Sequence, residues 1–161
     1  MRKLIICLLL MTMLGCMVCI FAFSSQNAEK SNNISMSVSE RIAAKKISGA
    51  PQMPDDAMWQ FNGIVRKYAH FALFFVLGAL CTSLFLVFMP KRKILPIFLA
   101  LLVCLLWAST DEIHQLYVPG RTGQVKDVLI DFSGAFIASV PVLAVRCIIG
   151  AISSRICKNK S

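Results

Sequence analysis

Acidic residues are scarce in this chain and unevenly placed. Only eight occur among 161 residues, and none lies in residues 1–28, 57–110 or 132–161. Charged residues make up 16% of the chain, below the roughly 25% usual in soluble domains. That argues against an ordinary soluble fold, whose surface must be charged throughout. Cysteine is missing from residues 24–67 and 111–127; all seven cysteines lie elsewhere. A disulfide framework in those two segments is therefore excluded. Cys16 and Cys19 have redox-motif spacing but sit inside an apolar run, so they read as small packing side chains. Histidine occurs only twice, as His70 and His114. There is no HExxH, no nucleophile elbow and no Walker loop, so the usual sequence forms of those chemistries are absent.

What the chain has is apolar length. Hydrophobic residues are 57%, against about 45–50% in soluble domains, and they fall in four blocks. These are Leu4–Phe23, His70–Met89, Ile94–Thr110 and Val128–Val145, with His70 and Asp131 their ionisable residues. A membrane-spanning helix needs about 17–25 such residues. The expected fold is thus all-α, an integral membrane bundle of four transmembrane helices in one domain over residues 1–161. The spans are expected at about 4–23, 68–89, 94–110 and 128–147. A cleaved signal has an apolar region of about 7–15 residues, shorter than the first block, which therefore reads as a retained span. Met13–Cys16 faintly resembles a lipoprotein cleavage box, but the apolar run continues past Cys16.

The net charge of +9 is a matter of topology, and no nucleic acid partner is expected. Residues 1–3, 90–93 and 146–161 carry nine basic residues and no acid; elsewhere eight bases balance eight acids. By the positive-inside rule both termini, the loop 90–93 and the tail 148–161 are cytoplasmic. The lipid bilayer, with its anionic inner leaflet, is the expected partner of this charge. Residues 24–67 and 111–127 then form outer loops. In the first, Ser37–Glu40 has capping-box spacing, and a short surface helix is expected there. Pro119, Gly120 and Gly123 mark a turn in the second.

This topology gathers the polar residues at the outer end of the bundle. Candidate ligand-binding residues are Ser25, Gln26, Arg66, Lys67, His70, Asp111, Glu112, His114, Gln115, Arg121, Asp127 and Asp131. Arg66 and His70 are four apart, as are Asp127 and Asp131, so each pair shares a helix face. Asp131 lies about 5 Å inside its apolar block at 1.5 Å per residue. A charge there should face the bundle and meet a partner, for which Arg66, His70 and Arg121 are the candidates. Gly134, Ala135, Ala138 and Ser139 form a small-residue stripe suited to close helix packing. Pro141 is expected to kink the inner half of its span.

The stretches "FSSQ" (23–26), "RKYAHFALFFVLGAL" (66–80) and "TDEIHQLYVPGRTGQVKDVLIDFSGA" (110–135) resemble the VanZ-like family of small bacterial membrane proteins. The likeness runs from about Phe23 to Ala138. Where the family often has a tyrosine after its histidine, this chain has Phe74 or Phe75, so no phenol hydroxyl stands there. The resemblance implies a four-helix protein of the bacterial plasma membrane and an association with low-level teicoplanin resistance. It supplies a phenotype and no reaction.

Three roles follow for the polar end. It binds an envelope lipid or cell-wall precursor, with arginines on phosphate. Alternatively it is an enzyme on a lipid headgroup, with His70, His114 and Asp131 as catalytic candidates. Or it braces the helices and serves a protein partner. No cofactor is expected, although Asp111, Glu112, His114 and His70 leave a divalent metal open.

The topology has a direct check. Alkaline phosphatase fused after Lys160 should be inactive, and fusions within 24–67 or 111–127 active; the reverse pattern would overturn the charge argument.

Overall fold

The computed structural model describes residues 1–25, 36–38, 41, 55–92, 94–119 and 123–158. It is all-α, with no strand among the described residues. Four helices are each long and apolar enough to cross a membrane. They are α1 (Arg2–Ser24), α2 (Asp55–Phe88), α3 (Leu95–Gln115) and α4 (Val125–Lys158). A helix satisfies all its own backbone hydrogen bonds, which hydrocarbon demands. Of the expected surface helix in the first outer loop, only 36–38 and 41 are described, and they are helical.

Three helices begin or end beyond their apolar runs, α4 among them, which runs to Lys158 rather than stopping near 147. α2 starts at Asp55 rather than near 68, and α3 continues to Gln115 rather than stopping at 110. At about 1.5 Å per residue, the 34 residues of α2 outreach a hydrocarbon layer of about 30 Å. The apolar runs mark membrane depth; past it α2 and α3 carry buried polar residues, Asn62 on α2 and Asp111, Glu112 and Gln115 on α3. Pro96 sits in the first turn of α3, where its missing N–H leaves no bond unmade. Pro141 lies inside α4, which remains helical through to Lys158.

α2 is the centre of the bundle. Its contact with α4 is the most extensive, followed by those with α3 and α1. Phe74, Leu77, Cys81 and Leu84 recur at helical spacing on its buried face. Ala100, Cys104 and Ala108 of α3 and Ala135 of α4 complete the core, with Met13 and Ile20 from α1. The outer faces of all four helices carry exposed Leu, Ile, Val and Phe, which suits a lipid surround.

The α2–α4 contact is close because glycine stands at the crossing. A Cβ on Gly78 would lie 2.6 Å from the carbonyl oxygen of Ala135, and one on Gly134 would lie 2.5 Å from that of Phe71. Both obstacles are backbone and cannot swing aside. The small-residue stripe of α4 is buried here, with Ala135 and Ala138 fully covered.

The basic end is tied through α2. Arg2 donates to the carbonyls of Val87 (3.2 Å) and Phe88 (2.9 Å). Arg146 donates to Leu86 (3.5 Å) and Pro90 (2.7 Å). Two arginines from distant parts of the chain thus satisfy carbonyls that a helix end leaves free, and oppose its negative dipole end.

Gly78→Ala should lower stability in detergent. Overpacking costs about 1–3 kcal/mol, which outweighs a helix-propensity gain of about 1 kcal/mol. Gly15 and Gly150 have nothing within 4 Å of a Cβ, so Gly15→Ala and Gly150→Ala should be neutral or mildly stabilising. Thermal unfolding of the three purified variants reads the difference.

Candidate functional site

The buried stripes of the helices change character toward the end opposite Arg2 and Arg146. On α3, Ala100, Cys104 and Ala108 give way to Asp111, Glu112 and Gln115, all still buried. On α4, the stripe of Ala138, Ala135 and Gly134 continues to Asp131 and then Asp127. On α2, Leu77 and Phe74 lead to His70 and Lys67. The same faces that pack the bundle therefore carry its ionisable groups, at three- and four-residue steps.

Four cross-helix side-chain contacts organise this end. Ser24 Oγ of α1 donates to Asp111 Oδ2 at 2.6 Å, and Gln115 Nε2 donates to the same oxygen at 3.0 Å. Gln115 also donates to Ser24 Oγ at 3.2 Å. Lys67 Nζ of α2 lies 3.0 Å from Asp127 Oδ1 of α4. One turn deeper, His70 Nδ1 lies 3.8 Å from Asp131 Oδ2. In addition, Glu112 Oε2 accepts the backbone N–H of Gln124 at 2.9 Å, just before α4 begins. That bond occupies a donor left free at a helix start, where a carboxylate is favoured.

Between these contacts lies a cavity of about 240 Å³. Its walls include Arg66, Lys67 and His70 of α2, Glu112 and Gln115 of α3, and Asp127 and Asp131 of α4. Seven of the residues expected from sequence thus meet at one cavity. Gly63, Gln124 and Ile130 also line it, and sequence reading missed them. For Gly63 the missed signal is its spacing, seven residues before His70 on one helix face.

The remaining expected residues fall elsewhere. Ser25 is exposed, and its Oγ donates locally to the Ala22 carbonyl at 3.1 Å. The neighbouring Ser24 reaches Asp111 instead. Asp111 lies behind the cavity wall, with one candidate ligand atom within 4.8 Å of those of His70 and Asp131. His114 stacks on Phe21 of α1, ring centroids 4.4 Å apart and planes at 30°. Of the three catalytic candidates, His70 and Asp131 therefore share the cavity, and His114 packs against α1. Gln26 and Arg121 lie outside the described residues. Asn62, not singled out from sequence, is fully buried at this end.

Buried carboxylates dominate the electrostatics. Asp131 is 1% exposed and Asp111 3%. Burying a charge away from water is costly unless it is paired or hydrogen-bonded, so each needs compensation. Asp111 receives two donors on Oδ2, while its Oδ1 is buried with no hydrogen-bond partner among the described residues. Asp131 Oδ2 is likewise buried with no hydrogen-bond partner among the described residues, 3.8 Å from His70 Nδ1. The arrangement offers hydrogen-bond donors and cations at the cavity rim and bare carboxylate oxygens deeper in.

A family model described as VanZ/LLP1 matches residues 7–146. No curated protein and no solved structure is similar enough to match.

The two adjacent serines separate the network from its surroundings. Ser24→Ala should cost about 1–2 kcal/mol, the upper range for polar contacts between membrane helices. Ser25→Ala should stay within about 0.5 kcal/mol. Equal effects in unfolding measurements would contradict the Ser24–Asp111–Gln115 network.

Proposed function

The chain belongs to the VanZ/LLP1 family, and from that premise we propose that this multi-pass membrane protein binds the phosphate-bearing headgroup of an envelope lipid or cell-wall precursor. The observation that carries this reading is the cavity of about 240 Å³ with Arg66, Lys67 and His70 on one wall. A phosphate is an acceptor-only dianion or monoanion. An arginine fork meets it bidentately, and a lysine adds a point charge. Gln115 and Gln124 line the same cavity and suit sugar or peptide hydroxyl and amide groups. The outer faces of the helices would hold the acyl chains in the surrounding bilayer.

The nine bases without acids at the other end favour placing the cavity at the outer face of a bacterial plasma membrane. A protein that holds or reorganises an envelope lipid there alters how a glycopeptide such as teicoplanin reaches its target. This joins the cavity to the phenotype that the family resemblance implies. The pairing of His70 with Asp131 also suits acid–base work on a headgroup, a base with an orienting carboxylate behind it.

Native mass spectrometry of the detergent-purified protein tests the reading. Wild type should retain an anionic lipid. Arg66→Ala and Lys67→Ala, each folded and inserted, should lose it at least about tenfold, the loss of one charge-assisted contact. The same variants should change teicoplanin susceptibility in cells. Unchanged lipid retention and susceptibility in both would sink the proposal. Headgroup release from labelled lipid by wild type but not by His70→Ala would replace binding with catalysis.

A further inference from the structure

At the inner wall of the cavity and just behind it, three residues from three helices converge. His70 of α2, Asp111 of α3 and Asp131 of α4 each present one candidate ligand atom, and these atoms all lie within 4.8 Å of one another. We propose that they form a binding site for a single divalent transition-metal ion of the Zn2+ or Mn2+ class.

Four observations support the site. First, the donor set is mixed: one imidazole nitrogen and two carboxylate oxygens. Imidazole favours transition metals, and carboxylates alone would suit Mg2+ or Ca2+. Second, the oxygens are ready for a ligand. Asp111 Oδ1 and Asp131 Oδ2 are both buried without a hydrogen-bond partner among the described residues, on side chains 3% and 1% exposed. Native interiors rarely leave such acceptors bare. Third, the charges balance. Two carboxylates, a neutral imidazole and a dication sum to zero, which removes the cost of burying charge at membrane depth. Fourth, Asp111 is already oriented. Ser24 and Gln115 hold its Oδ2 at 2.6 and 3.0 Å, the kind of supporting contact that fixes a metal ligand.

The distances suit this class of ion. Zn2+ binds N and O donors at about 2.0–2.2 Å, which spaces neighbouring ligand atoms on the order of 3–4 Å apart. His70 Nδ1 and Asp131 Oδ2 stand 3.8 Å apart. Small side-chain rotations therefore close the set. Three protein ligands leave further coordination positions free for a water or a ligand oxygen. His70 and Asp131 line the cavity, so those positions face it. A headgroup phosphate would complete the shell there. That last step rests on the headgroup proposal; the metal site itself does not.

The test uses full-length, tag-free protein, delipidated in detergent and stripped with chelator, so that metal binding is read without lipid. After dialysis against Zn2+, elemental analysis should give one ion per chain. His70→Ala and Asp131→Asn should each weaken binding by at least about tenfold, a loss that even an outer-shell change can produce. In Mn2+-loaded wild type, pulsed electron paramagnetic resonance should show coupling to an imidazole 14N. Well below one ion per chain, no nitrogen coupling, or variants that bind as wild type would each overturn the site. Should the variants fail to fold, the wild-type stoichiometry and nitrogen coupling decide alone. Lipid retention with no metal would remove the metal site and leave the headgroup proposal standing; metal without lipid would do the opposite.

Discussion

The close crossing of α2 and α4 at Gly78 and Gly134 is the constraint from which the polar end follows. No side chain can stand between these helices, because a single Cβ would meet backbone at 2.5 or 2.6 Å. The stripes that converge there run on toward the polar end, about two turns from Gly78 to His70 and about one from Gly134 to Asp131. Those two residues thus face each other because their helices are held backbone to backbone beside them. Hydrocarbon gives apolar side chains no reason to cluster, so packing of small residues supplies the association. The crossing then sets the spacing at which charge is brought together.

The two ends use charge differently. At the basic end, Arg2 and Arg146 are consumed by the carbonyls that close α2. Those contacts fix where the first and fourth helices sit on the second. At the other end, the charges surround a cavity rather than filling it. Lys67 and Asp127 pair near its rim, and Asp111 and Asp131 keep one oxygen each without a hydrogen-bond partner. A purely bracing network would be expected to satisfy its own acceptors, since partly satisfied buried networks are costly. The bare oxygens are the reason a metal ion is proposed here, and the cationic wall of Arg66, Lys67 and His70 is the reason a phosphate is.

Much of this was legible in the sequence. Four long apolar runs, broken only by His70 at an edge and by Asp131, read as four spans. Asp131 announced itself as an acid within an apolar run, and its spacing from Asp127 placed both on one face. Topology and helical period bring the candidate residues to one end of the bundle, and packing decides which seven of them share the cavity. Other features needed the third dimension. Ser24 and Ser25 differ by one residue, which is about 100° around a helix, and only packing decides which of them meets Asp111. Gly78 is one glycine in an apolar run; its role depends on Ala135 across the interface. Gln124 acts partly through its backbone N–H, to which sequence pattern is blind. The span ends at 68 and 110 lie where hydropathy falls, while the helices continue to Asp55 and Gln115.

Photo-crosslinking in living cells tests the central claim, that the cavity selects a phosphate headgroup, most directly. A photoreactive residue at Ile130, on the cavity wall, is compared with one at Phe136, exposed on the outer face of the same helix. The adducts are identified by mass spectrometry. The account predicts that Ile130 captures one headgroup class strongly enriched over the bulk lipid mixture captured from Phe136. The same lipid profile from both positions would contradict it.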